Sequence, residues 1–187
     1  MERYYYHGIE SYLDEEASML ETMLTIIKSG AIKTFNNLNG TNSEGMNHIC
    51  LFKKNDSFDY EHREPYPMGP MSSLDAWIGN GVVFVISPDI DAYQAKYTPN
   101  YRREEGTTNI IDEWRTNTDI PLEKIVGIAL PLDTIKEEMA TSKIWGEKLN
   151  QLLEIAKQYG WFVVNSEDVA FTDKLDSQLS NKKHQLD

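Results

Sequence analysis

IIDEWRTNTDIPLEKIVGIALP, residues 110–131, reads as two strands joined by a polar turn, and that reading sets the fold class. Residues 110–115 and 124–130 supply β-branched and aromatic side chains in runs of strand length. Residues 116–121 are turn-like, and Pro131, with no amide hydrogen to give to a ladder, ends the second run. Upstream, VVFVIS at 82–87 is the plainest strand of the chain and is closed by Pro88. Residues 48–52 and 4–9 read as shorter strands, the earlier one carrying His7 and Gly8 at its end. Downstream, Thr141 or Ser142 caps a helix over 141–159 whose apolar face is Ile144, Leu149, Leu152, Leu153 and Ala156. Gly160 stops that helix before a further strand over 161–165.

A second helix follows from Met19, Leu20, Met23, Leu24, Ile26 and Ile27, with Ser18 and Glu21 at capping-box spacing and Gly30 as the stop. Residues 35–45 and 53–69 are rich in Asn, Gly, Ser and Pro and read as loops. Ser72 or Ser73 is expected to cap a short helix through Ile78. Tyr93, Tyr97 and Tyr101, at every fourth position of residues 92–106, fit either a frayed helix or a lid loop. DSQLSNKKHQLD, residues 176–187, is expected to form a mobile polar tail, leaving residues 1–175 as a single α+β domain.

The chain has 187 residues and a formal net charge of -12, from 18 Lys and Arg against 30 Asp and Glu. Nonspecific nucleic-acid affinity arises from clustered cations that displace counterions, so a free nucleic acid is a harder partner than a protein. One small nucleotide needs only local donors and remains compatible with this charge. Cys50 is the single cysteine, which rules out an internal disulfide and fits a reducing compartment. MERYYYHGIE lacks a basic segment followed by an apolar one, and no run approaches the roughly 20 apolar residues of a membrane span. A cytoplasmic protein with no membrane partner is expected.

Several side chains are candidates for chemistry. Glu113 stands in an apolar strand beside Trp114, where a carboxylate is costly without a task or a partner. Asp112 competes with it, and the plainer alternative is that Glu113 points outward and pairs with Arg115. His7 beside Gly8 suits a ribose hydroxyl, since glycine admits a ligand to the backbone, though a surface or capping histidine is the commoner reading of such a pair. Cys50 with His48 or His62 has the groups of a thiolate hydrolase, yet a cysteine in an apolar strand is more often a small buried hydrophobe. Arg102 and Arg103 have the donors to clamp a pyrophosphate, but Glu104 and Glu105 beside them suggest a solvated charge cluster. The four histidines and one cysteine show no ligand pair at the spacing of a recognised metal site, so no metal is expected.

The succession of features resembles the ADP-ribosyltransferase superfamily. A first strand ends in His7-Gly8, a helix ends in glycine within LETMLTIIKSGAI, HICLF and VVFVIS follow as strands, and the Glu113 strand leads into IPLEKIVGI. The resemblance spans most of residues 4–130 and is nearest to compact bacterial members of the poly(ADP-ribose) polymerase-like and DNA-modifying-toxin-like branches. It implies a split antiparallel sheet with flanking helices, NAD as substrate, and transfer of ADP-ribose to a macromolecular acceptor. On this resemblance His7 contacts the nicotinamide-side ribose or the amide, and Gly8 admits the cofactor. Glu113 contacts the ribose 2′-hydroxyl and stabilises the oxocarbenium-like centre, or orients the nucleophile. The family usually places Tyr, Ser or Thr on its second motif strand, where this chain has Cys50. Either Cys50 fills a packing role there, or Tyr93, Tyr97 or Tyr101 supplies the ring that stacks on nicotinamide. Some superfamily relatives bind without transferring, so a noncatalytic binder of NAD or ADP-ribose is the alternative, and a Cys50-dependent hydrolase is a second.

Overall fold

The computed structural model describes residues 2–9, 16–34, 47–54, 81–97, 108–168 and 171–183. Their strands are β1 (Tyr5–Gly8), β2 (Ala31–Ile32), β3 (Ile49–Phe52), β4 (Val83–Ile86), β5 (Tyr93–Tyr97), β6 (Thr108–Thr116), β7 (Ile120–Pro121), β8 (Ile125–Leu130) and β9 (Phe162–Asn165). The helices are α1 (Ser18–Lys28), α2 (Leu132–Glu138), α3 (Lys143–Tyr159) and α4 (Phe171–Lys183). Seven strands form one sheet in the order β5-β6-β3-β1-β4-β8-β9, and β2 and β7 form a separate antiparallel pair. Every neighbouring pair in the large sheet is antiparallel except β8 and β9, whose connection through α2 and α3 returns the chain in the same direction. The architecture is a single α+β domain.

Both faces of the sheet are covered, because alternate side chains of its central strands feed two separate cores. Tyr5, Leu51, Phe84 and Ile86 point to one face, packed against Leu20, Met23, Leu24 and Ile27 of α1 and Leu152 and Ala156 of α3. Tyr4, Tyr6, Phe52, Val83 and Val85 point to the other, under Phe171 and Leu175 of α4. This two-sided burial explains why VVFVI, residues 82–86, is continuously apolar: each residue of β4 is fully enclosed. Gly127 lets β9 close onto β8, since a Cβ there would stand 2.3 Å from Phe162 Cε2. Gly160, at φ 70°, takes the left-handed conformation that ends α3, and Ser142 Oγ accepts from Ile144 N at the other end as its cap.

Three expectations are corrected. Residues 93–97 are an edge strand rather than part of a helix or lid loop. Tyrosines four apart share a face in a strand as well as in a helix, so their spacing does not discriminate, and pairing with β6 decides. Ser18 is the first residue of α1, behind Ala17 at φ 55°, and makes no capping box. The Glu21 carboxylate instead meets Lys148 Nζ of α3 at 2.5 Å. The expected polar tail over 176–187 is helical through residue 183, with Asp176 buried beside Leu175, and residues 184–187 lie outside the described ones. Its buried stripe contains Thr172 and Asp176 as well as Phe171 and Leu175, and this mixed composition hides the amphipathic pattern. The loop over 35–45, most of that over 53–69, the short helix near residue 72, and His62, Tyr101, Arg102 and Arg103 lie outside the described residues.

Candidate functional site

The pairing of β3 with β6 sets the site. The register places Cys50 opposite Arg115 and Phe52 opposite Glu113, so all four share the face that carries Tyr6. On its other side β6 is irregular. Gln94 pairs with Trp114 and Lys96 with Asn109, which leaves Ala95 alone to span residues 110–113. Glu113 therefore lies at the end of a local excess of β6 backbone, the kind of irregularity that re-aims a side chain.

Arg115 donates to Glu113 Oε1 through Nε at 2.8 Å and approaches the same oxygen through Nη2 at 2.7 Å. The Cys50 thiol donates to Oε1 as well, at 3.9 Å. The Glu113 side chain is 18% exposed and that of Arg115 28%, so the pair is largely withdrawn from water yet open at one side. Tyr93, opposite Arg115 on β5, is exposed, and its hydroxyl meets Asn117 Oδ1 at 3.0 Å.

Burial pushes the Cys50 thiol up, and the neighbouring Glu113 carboxylate adds to this while Arg115 opposes it. The thiol is thus held protonated, the reverse of what an activated nucleophile requires. Burial lowers His48, and Arg115 lowers it further against the pull of Glu113. His7 is also lowered by burial, against a hydrogen bond between its Nδ1 and Cys50 O at 2.8 Å. A carbonyl only accepts, so Nδ1 carries the hydrogen of a neutral ring.

The candidates named from the sequence are not all brought together. Glu113, Cys50 and Arg115 form one cluster, and the pairing with Arg115 foreseen as the plainer alternative is present. His7 does not join them on their face. It pairs with Phe84 and follows Tyr6, so strand alternation sends it to the Tyr5 and Leu51 side, while Glu113 lies on the Tyr6 and Phe52 side. What links His7 to the cluster is the Cys50 carbonyl, in the plane of the sheet. Gly8 pairs with Val83 one position further on, and Tyr97 pairs with Thr108 at the far end of β5. The side chains of Tyr97 and Asp112 are outside the described ones.

A buried ionic group absent from the sequence reading lies on the Glu113 face. Asp176 of α4 is fully enclosed and accepts from Arg3 Nη1 at 2.9 Å, Tyr4 N at 3.0 Å and Tyr6 Oη at 3.1 Å. Burial pushes its carboxyl up and these donors pull it back. Its signal in the sequence is the 171, 172, 175, 176 spacing, one helical stripe. Among the described residues no group of three His, Cys, Asp or Glu side chains converges as a metal site, and no helix is long and apolar enough to cross a membrane. No protein-family model, curated protein or solved structure matches the chain.

Proposed function

We propose that the chain cleaves NAD at the bond between nicotinamide and ribose and transfers the ADP-ribose to an acceptor, with Glu113 as the carboxylate at the reacting centre. The single observation that carries this reading is the state of Glu113: a partly enclosed carboxylate at an irregular point of β6, with every described contact made to one oxygen. As the bond breaks, its electrons leave with nicotinamide and positive charge develops on the ribose. A fixed carboxylate in a site with restricted water stabilises that charge strongly. The acceptor's nucleophilic atom then bonds to the anomeric carbon and releases its proton.

The resemblance assigns His7 to the nicotinamide-side ribose. The register favours a different role, in which the neutral ring ties β1 to β3 at Cys50 and sets the height of the strand beneath Glu113. Acidic composition favours a protein over nucleic acid as acceptor. A noncatalytic binder of NAD or ADP-ribose is the second reading, favoured by Arg115, whose positive charge offsets that of the Glu113 carboxylate. The Cys50 hydrolase is disfavoured by the protonated thiol.

Nicotinamide release from NAD by the wild-type protein and by Glu113→Gln tests the proposal. Release that Glu113→Gln abolishes supports transfer. Calorimetric binding of NAD without release supports the binder, and neither binding nor release overturns both.

A further inference from the structure

The geometry points to Arg115 as the positioning residue of the site: it anchors one oxygen of Glu113 and thereby presents the other to the ligand. This rests on the reading of Glu113 as the reacting carboxylate. The observation is an asymmetry. Arg115 Nε and Nη2 both converge on Oε1, at 2.8 Å and 2.7 Å, and the Cys50 thiol adds a weak third contact to the same atom. Among the described residues, Oε2 takes none of these bonds.

A guanidinium more commonly meets a carboxylate fork to fork, one N–H to each oxygen. That arrangement satisfies both oxygens and leaves neither for a substrate. Here two donors of the planar group meet one oxygen, which restrains rotation about the last side-chain bond and fixes the direction of Oε2. The guanidinium reaches Glu113 along the strand, two residues away on the same face, and Cys50 of the adjacent strand packs against the pair. The arrangement is therefore built from backbone register rather than from a mobile loop. Arg115 also reduces the negative potential of the carboxylate. Positioning predicts that the gain in orientation exceeds this loss.

Lysine separates the two effects, because an ammonium keeps the charge but offers no planar fork. In the nicotinamide-release assay, Arg115→Lys and Arg115→Gln are each expected to lower kcat by about tenfold or more while KM moves by less than about threefold. Restoration of kcat by lysine would reduce Arg115 to a counter-charge. An unchanged or raised kcat in both variants would overturn the inference outright.

An independent reading comes from iodoacetamide labelling, which reports Cys50 alone because it is the single cysteine. Removing the cation leaves an uncompensated carboxylate beside the thiol, so Arg115→Gln is expected to slow labelling roughly threefold or more near pH 8. Arg115→Lys is expected to leave the rate close to that of the wild type. Unchanged labelling in Arg115→Gln means that Arg115 does not hold the carboxylate, and overturns the inference whatever the activity. If the wild type releases no nicotinamide, the functional reading falls, while the labelling result alone still decides whether the anchor exists.

Discussion

Asp176 Oδ2 and Arg3 Nη1 are 2.9 Å apart across 173 positions of sequence, in an ion pair whose side chains are 0% and 9% exposed. The contact joins the residues just before the central strand to the last described helix, and breaking it removes the buried, closer of the two carboxylates facing Arg3, the other being Asp173 at 3.9 Å. Asp176→Asn is expected to lower unfolding stability by about 3 kcal/mol, the scale for removing one partner of a buried pair. Lys54→Ala, which breaks a more exposed bridge to Asp173 on the same helix, is expected to cost below about 1 kcal/mol. Urea unfolding of both variants checks the contrast, and equal effects would contradict it.

Gly127→Ala puts a Cβ into the ring of Phe162, at 2.3 Å from Cε2. β8 and β9 must then separate or Phe162 must leave its place, at an expected cost of about 2 kcal/mol. Phe162→Leu in the same chain is expected to recover at least half of the loss. Thermal melts of the single and double variants decide it, and additive effects would argue against a clash.

Glu167 caps α2 from outside, accepting from Asp133 N at 2.7 Å, from Thr134 N and from Thr134 Oγ1. Those bonds hold its carboxyl below the ordinary range. Glu167→Ala is expected to cost about 1 kcal/mol, as for loss of a cap. Hydrogen exchange localised to residues 132–138 reads the loss directly.

His7 and His48 are both lowered in the folded protein. Below about pH 6.5 the unfolded chain therefore takes up protons that the folded chain refuses. Stability from these two rings is present above that pH and is expected to fall as the pH drops from about 6.5 toward 5. His7→Gln is expected to flatten this slope in urea titrations across the window. An unchanged slope in that variant, with His48 intact, would show that His7 contributes nothing to it.

The strands β4 and β8 and the helix α3 were legible because burial on two faces, or on one stripe, leaves a periodic record in the chain. The edge strand β5 was not, since its tyrosines satisfy two periods at once. The tail assignment failed at Asp176, because a polar residue satisfied by Arg3, Tyr4 and Tyr6 looks solvated when those partners are distant in sequence. The Glu113 and Arg115 pair was readable from two-residue spacing along one strand. The opposed sides of His7 and Glu113 were not. Alternation within β1 and within β6 is visible in sequence, but their relative phase is set by β3 between them.

The central place of β1 also dictates an order of assembly. Its two neighbours arrive later, β3 from residue 49 and β4 from residue 83, and among the described residues Tyr6 is roofed by a helix beginning at residue 171. On the ribosome β1 can gain both strand partners once residue 86 has emerged, but the face carrying Tyr6 must wait for α4. Synthesis halted before that last helix would release a sheet whose Tyr6 and Phe52 lack Phe171 and Leu175 above them, a natural target for chaperones and proteases.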